Sequence, residues 1–293
     1  MVRPLESVPN FSEGRDRATI DALADALGSR ARLLDVHADE DHNRSVFTLV
    51  GSGEELVEGL LAGIACAAAR IDLQQHEGAH PRIGSADVVP IVPLDPEDAE
   101  AARETALALA RRVGEELSLP VFLYGDVGGG RGPAFFRTGG PRELQRRIDA
   151  GEASPDFGPG RLSDAAGGVL VGVRRPLIAF NVNLRGSLDA AREVAAVVRE
   201  TAGGFPGVRA LGLDLPRAGL VQVSMNVEDW EAAALHEIVA RVEREAASRG
   251  AELVGSELVG LMPAGAAAAA AGAALRIEGF DASHVLELRL LEG

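Results

Sequence analysis

The sequence predicts an α+β fold built as two successive halves. Three observations carry that expectation. Segments with helical spacing of apolar residues alternate with short strand-like runs along the chain. Each half repeats the order strand, helix, strand, strand, helix, strand, which is the split βαβ, or ferredoxin-like, arrangement. Residues 126–168 break the alternation with clustered glycine and proline, which predicts a surface connection between the halves. The sheets are expected to be antiparallel or mixed, with helices packed on one face.

The elements follow in order. Residues 7–11 read as a short strand. Ile20, Leu23, Ala24 and Leu27 share one face of a helix over 16–27. Strands over 32–36 and 46–50 flank a polar loop at 39–44. Leu56, Leu60, Ile64 and Ala68 mark a helix over 54–71. A loop rich in Gly, Pro and His fills 74–85, and a strand spans 87–92. A helix over 96–117 opens with proline and acidic residues. A strand at 121–124 and a helix near 142–148 complete the first half. The second half has strands at 169–173 and 177–183, a helix at 188–201 and paired strands at 208–214 and 220–226. A helix over 228–248, a strand within 252–258, an alanine-rich helix and a tail close the chain.

Composition narrows the function. The 293 residues are 46% hydrophobic, enough for a sizeable core. The net charge of −15 argues against a nucleic-acid partner. All 29 basic residues are arginine, so Schiff-base and P-loop lysine chemistry is excluded. Anionic substrates must then be held by Arg or by backbone N–H groups. A single cysteine, Cys66, excludes an intrachain disulfide and a multi-cysteine metal cluster. It lies in an apolar helix and reads as core rather than nucleophile. No secretory or membrane segment is expected, and a reducing, cytoplasmic setting fits.

Three segments carry candidate chemistry. His76-Glu77-Gly78-Ala79-His80 matches H-E-x-x-H literally. That zinc motif needs both histidines on one helix face. Gly78 weakens a helix there and Pro81 biases His80 away from it. A loop presenting one or both imidazoles for acid–base work is the alternative, and surface histidines are the plain one. The crowding of Arg82, Gly84 and Asp87 beside them favours function. The second segment, Asp35 to Arg44, holds Asp35, His37 and Asp39. It reads as imidazole-orienting carboxylates or as a solvated acidic loop. The third holds Asn10, Ser12 and Glu13 at a strand-to-helix junction, where Ser12 or Asn10 is expected to cap the helix.

Taken together, these segments resemble the glutamate formimidoyltransferase family, the transferase part of formimidoyltransferase-cyclodeaminase. The resemblance spans nearly the whole chain. It is carried by VPNFSEGR, LLDVHADEDHNRSVFTLVG, HEGAHPRIGSADVVPIVPL, LPVFLYG, PDFGP, LIAFNVNL, LVQVSMNVEDW, ALHEIV and GSELVGL, in that order. It implies two ferredoxin-like subdomains, 1–176 and 177–293, in a homodimer. It implies transfer of a formimidoyl group between tetrahydrofolate N5 and L-glutamate, within histidine degradation. Tetrahydrofolate is then a co-substrate, N-formimidoyl-L-glutamate the partner substrate, and no metal is expected. Neither nucleic acid nor membrane is an expected partner, and a separate cyclodeaminase is implied for the next step.

The resemblance also distributes roles. His80 matches the family's catalytic histidine. The folate segment corresponds to Gly160, Leu162, Ser163, Ala166, Gly167, Gly168 and Val169, with Asn181 further on. Asp35, Asp39 and His37 join the catalytic set, and His37 stands where vertebrate members carry aspartate. Asn10, Ser12, Glu13, Arg44, His76, Arg82, Gly84, Tyr124 and Arg174 are assigned to substrate. Arg44, Arg82 and Arg174 are the expected carboxylate clamps, because Arg pairs carboxylates bidentately. The chemistry agrees, since one imidazole can remove a proton from the attacking nitrogen and return it to the leaving one. Three competing readings use the same chain. They are a formyltransferase acting on 5-formyltetrahydrofolate, a metal-dependent hydrolase built on HEGAH, and a non-catalytic folate-binding module.

Overall fold

The computed structural model describes residues 3–291. The chain forms two compact units, Met1–Arg175 and Pro176–Gly293.

In the first unit, β1 (Leu5–Ser7) and β2 (Asn10–Phe11) each pair with both β4 (Arg44–Gly51) and β5 (Ala86–Pro93). They are one strand interrupted at Val8 and Pro9. Proline has no N–H for a ladder; its carbonyl instead accepts from Phe47 N. β3 (Arg32–Asp39) pairs antiparallel outside β4. On the other side, β5 pairs parallel with β7 (Val169–Val173), and β7 pairs parallel with β6 (Val121–Gly125). The first sheet therefore has seven strands and mixed pairing.

Helices α1 (Arg17–Leu27), α2 (Gly53–Arg70) and α3 (Ala99–Glu116) cover one face of this sheet. Their start signals are local. Asp16 accepts from Ala18 N at α1, and Ser52 and Glu55 form a capping box at α2. Val89, Ile91, Val121, Leu123, Val169 and Val171 point into the core beneath them. The alternate residues Val88, Phe122, Tyr124 and Leu170 point the other way. There they meet Phe136 of α4 (Pro133–Arg137) and Leu144 of α5 (Gly140–Asp149), with Leu162. Two expectations are corrected here. Residues 126–168 are not a surface connection but a second packed layer. The helices also lie on both faces, as buried parallel strands require.

The second unit has four antiparallel strands, β8 (Ile178–Arg185), β9 (Val208–Leu215), β10 (Leu220–Val227) and β11 (Glu252–Val259). Their spatial order is β11-β8-β10-β9. The matching strands of the first unit run β5, β1/β2, β4, β3, which is the same order. Helices α6 (Leu188–Val198) and α7 (Leu235–Ser248) close one core with Ile178, Val182, Val223 and Val227. α7 starts later than the periodicity predicts. Asp229 accepts from Ala232 N and Ala233 N and closes an isolated turn first. The alanine-rich α8 (Ala264–Leu275) and a short α9 (Leu286–Leu291) follow. Among the described residues, no helix is long and apolar enough to cross a membrane.

Candidate active site

Three loops of the first unit are bound together through their backbones. Ser12 N donates to Ser85 O, Ser85 N to Ala166 O, and Gly168 N to Ile83 O. Ser12 Oγ donates to Gly84 O at 2.7 Å, so it binds a neighbouring loop; Asp16 caps α1 instead. The expected cap at Ser12 or Asn10 is thereby corrected. Glycine is obligatory at the crossing. A Cβ on Gly84 would lie 2.0 Å from Gly168 O. Gly167 adopts φ +70°, and its Cβ would lie 2.0 Å from Ile83 O.

Asn43 ties in the β3–β4 turn. It adopts φ 46°, a left-handed conformation that asparagine tolerates. Its Oδ1 accepts from Gly14 N at 3.0 Å and its Nδ2 donates to Glu77 O at 2.9 Å. Asp39 closes the same turn by accepting from His42 N at 2.6 Å. Glu13 accepts from Arg15 N and Asp16 N.

The loop from His76 to Arg82 is not helical. The shared helix face that H-E-x-x-H demands does not form, and the two histidines meet different partners. His76 Nε2 contacts Asn43 O at 3.0 Å and the ring lies against the Arg82 guanidinium. Arg82 also donates to the carbonyls of His42, Asn43 and His80. Burial, then the Arg82 charge, lowers the His76 pKa from 6.5.

His80 is partly accessible. Its Nδ1 lies 2.8 Å from Pro81 O and 3.0 Å from Arg44 Nη1. The shorter contact is to an acceptor. It assigns the proton to Nδ1 and leaves the Nε2 lone pair open. Nε2 makes no hydrogen bond with the described residues. The His42 ring stacks at 6.0 Å. Desolvation, followed by the Arg44 and Arg137 charges, holds the imidazole well below its ordinary pKa of 6.5. His80 is therefore a neutral base at pH 7.

Behind it lies a buried ionic chain. The ladder steps from Asn10–Val88 to Phe11–Ala86, which makes Asp87 the extra residue of a β-bulge. Its side chain is fully buried. Oδ1 accepts from Ile83 N at 2.8 Å. Oδ2 accepts from Arg44 Nη1 at 3.0 Å and from Arg137 Nη2 at 2.5 Å. Burial alone would raise the carboxyl pKa, but Arg137 and Arg44 together hold it below 3.8. Arg44 is anchored through Nε to Asn10 Oδ1 at 3.0 Å. Burial and the neighbouring Arg137 lower its pKa to about 9.

The remaining predicted residues separate. Asp35 lies opposite Thr48 on the outer strand β3, and its side chain makes no hydrogen bond or ion pair with the described residues; His37 lies opposite Val46. Tyr124 is buried, with its pKa pushed up to about 12 by burial and partly offset by Arg174. Arg174 also faces Glu6. Leu162, Ser163 and Gly167 line a cavity of about 780 Å³ with Leu73, Arg142 and Arg161. A neighbouring cavity of about 460 Å³ shares Leu73 and Pro141 and reaches His76 and Arg82. His80 lines neither. Ala166 and Val169 point into the core, Gly168 is held by Ile83, and Gly160 is exposed. Asn181 belongs to the second unit and donates to Glu257 at 3.1 Å. PDFGP guards an edge. Asp156 and Phe157 hydrogen-bond along the open side of β6, with Leu123 N on Asp156 Oδ2.

Sequence reasoning missed Arg137 and Asn43, and assigned Asp87 no role. A carboxylate opening an apolar strand was the available signal for Asp87. Nothing local marks Arg137.

Comparison with known proteins identifies the family. Residues 4–174 match the family model "Formiminotransferase domain, N-terminal subdomain", and residues 179–280 match "Formiminotransferase domain". A glutamate formimidoyltransferase of Thermoplasma acidophilum is 38% identical, covering 98% of this chain and 97% of that protein. One from Streptococcus pyogenes is 36% identical, covering 99% and 100%. The formimidoyltransferase-cyclodeaminase of Rattus norvegicus is 38% identical over 90% of this chain and 51% of its own length. On these matches, the chain belongs to the formiminotransferase family.

Proposed function

We propose that this protein is a glutamate formimidoyltransferase, moving the formimidoyl group between N-formimidoyl-L-glutamate and N5 of tetrahydrofolate. One observation carries the chemical part of the reading. A neutral imidazole is clamped through Nδ1 while its Nε2 stays open.

The attacking nitrogen adds to the amidine carbon and loses its proton to His80 Nε2. The intermediate then breaks its bond to the original nitrogen, which takes that proton from the imidazolium. One base serves both half-steps, so no covalent enzyme intermediate is needed. The Pro81 carbonyl accepts from Nδ1–H throughout and steadies the transient charge. The arginines make that imidazolium short-lived, which favours return of the proton.

Folate is assigned to the cavity lined by Leu162, Ser163 and Gly167, with Arg142 and Arg161 facing its anionic end. Arg82 is assigned to holding the histidine loop, because its donors are taken up by three carbonyls and the His76 ring. Asp39 is assigned to the turn. The ferredoxin-like description of each half is supported by their shared strand order.

The test is glutamate-dependent release of tetrahydrofolate, with 5-formimidoyl- and 5-formyltetrahydrofolate as parallel donors and chelator present. Turnover of the formimidoyl donor, lost in His80→Ala, is expected. Turnover of the formyl donor alone would reassign the substrate. Activity lost to chelator would restore a metal-dependent reading.

A further inference from the structure

The groups around His80 carry more cation than anion. Arg44, Arg137 and His42 bear on the ring, together with the Pro81 carbonyl. Arg82 adds a third guanidinium close enough to bear on Arg44. Asp87 is the carboxylate that pairs with Arg44 and Arg137, and one of its oxygens serves both. Side-chain exposure is 12% for Arg44, 15% for Arg137 and 0% for Asp87. Positive charge left over in such a setting is stabilised by a bound anion.

The three arginines differ in what they have left to donate. Arg82 is spent on carbonyls and the His76 ring. Arg44 places Nε on Asn10 and Nη1 on Asp87, leaving Nη2 without a hydrogen bond among the described residues. Arg137 places only Nη2, on Asp87. Its Nε is buried without a hydrogen-bond partner, and its Nη1 makes no hydrogen bond with the described residues while staying clear of full burial. A guanidinium has five N–H donors.

We propose that Arg137 anchors a glutamyl carboxylate of the substrate beside His80, with Asp87 holding the guanidinium in place. The inference rests on the formimidoyl-transfer reading above, in which both substrates carry a glutamyl group. It also gives the anion a second effect. A carboxylate on Arg137 offsets the cationic field on His80 and makes the base stronger once substrate is bound.

The experiment compares wild type, R137M and R137Q on charged and uncharged substrate pairs. One arm sets N-formimidoyl-L-glutamate against the corresponding α- and γ-amides. The other sets tetrahydrofolate against tetrahydropteroate, which lacks the glutamyl group. R137Q keeps an amide donor for Asp87 and guards against a folding failure of R137M. Wild type is expected to prefer the carboxylate form by about 10- to 100-fold in kcat/KM. The variants should lose that preference in the N-formimidoyl-L-glutamate arm and keep it in the folate arm, whose anionic end is assigned to Arg142 and Arg161. The acid limb of kcat/KM should also move to higher pH in R137Q. Retention of the full preference in the N-formimidoyl-L-glutamate arm would overturn the proposal. Wild type inactive on every donor would defeat the transfer reading instead. Calorimetric binding of L-glutamate to wild type and R137Q then decides the anchor by itself, weaker binding to R137Q supporting it and equal binding overturning it.

Discussion

The two units share a four-strand order, yet they bury different things. The first unit buries Ser7, Ser12, His42, Asn43, Ser45, Thr48, Ser85 and Asp87, among others, whereas the second buries Asn181 and Gln222. In the second unit the polar row is neutral apart from Glu257. Asn181 donates to Glu257 Oε2, and Gln222 donates to Asn183 at 2.9 Å. In the first unit the added parallel strands bring α4 and α5 over the second face. That layer carries Arg137 to a fully buried carboxylate. Burying charge is expensive unless it is paired and hydrogen-bonded. One scaffold thus supports two outcomes, a packed sheet with a polar face and a packed sheet with an ionic site. The difference lies in what the connections deliver.

The sharpest test of this contrast is activity. His80→Ala should lower kcat by about a hundredfold to ten-thousandfold, while Asn181→Ala should change it by less than about tenfold. Steady-state kinetics with the formimidoyl donor separates the two, and comparable losses would break the comparison. Next comes stability. Asp87→Asn leaves two guanidiniums without their anion and should cost about 3–5 kcal/mol. Glu257→Gln keeps an oxygen acceptor for the buried Asn181 and Gln222 amides and should cost under about 1 kcal/mol. Urea unfolding followed by circular dichroism measures both. Trp230, the single tryptophan, adds a fluorescence report from the second unit. Equal shifts by both probes in Asp87→Asn would mean that the units unfold together.

A smaller effect tests the loop crossing. Gly167→Ala must move Ile83 O and accept a left-handed φ, and should cost about 2–4 kcal/mol. Gly255→Ala meets nothing within 4 Å in the second unit and should stay within about 0.5 kcal/mol. Melting temperatures decide between them. The smallest effect is on pH dependence. His76 and His80 have lowered pKa values in the folded chain, whereas both titrate near their ordinary value, about 6.5, when unfolded. Below about that pH the unfolded chain binds protons that the folded chain refuses, so stability falls as pH falls. The slope cannot exceed about 1.4 kcal/mol per pH unit for each ring. It flattens once the folded rings also protonate, and His76→Gln should reduce it.

Part of this site is legible along the chain. Gly78 and Pro81 deny HEGAH a helix, and the loop is indeed irregular. The motif ending in Asp87 places a carboxylate close to two histidines and an arginine. The split strand is foreshadowed by Pro9, and the α2 capping box by Ser52 and Glu55. Other assignments needed the third dimension. Arg82 looks like a substrate clamp by its neighbours and is instead taken up by carbonyls. Ser12 looks like a cap and binds another loop. Residues 126–168 look like a surface connection, yet Phe136 is fully buried.

Helical and strand periods, breakers and caps are decided by residues within a turn or two of one another, so the sequence by itself determined the order and type of nearly every element. It also determined that a histidine loop opens onto an apolar strand. Which charges meet that loop was decided only in the tertiary structure. Arg44 lies 43 residues before Asp87, and Arg137 lies 50 after it. No local pattern couples such distant positions. Their pairing follows from a bulge that turns Asp87 toward the site, and from a second helical layer that packs Phe136 and thereby delivers the arginine beside it.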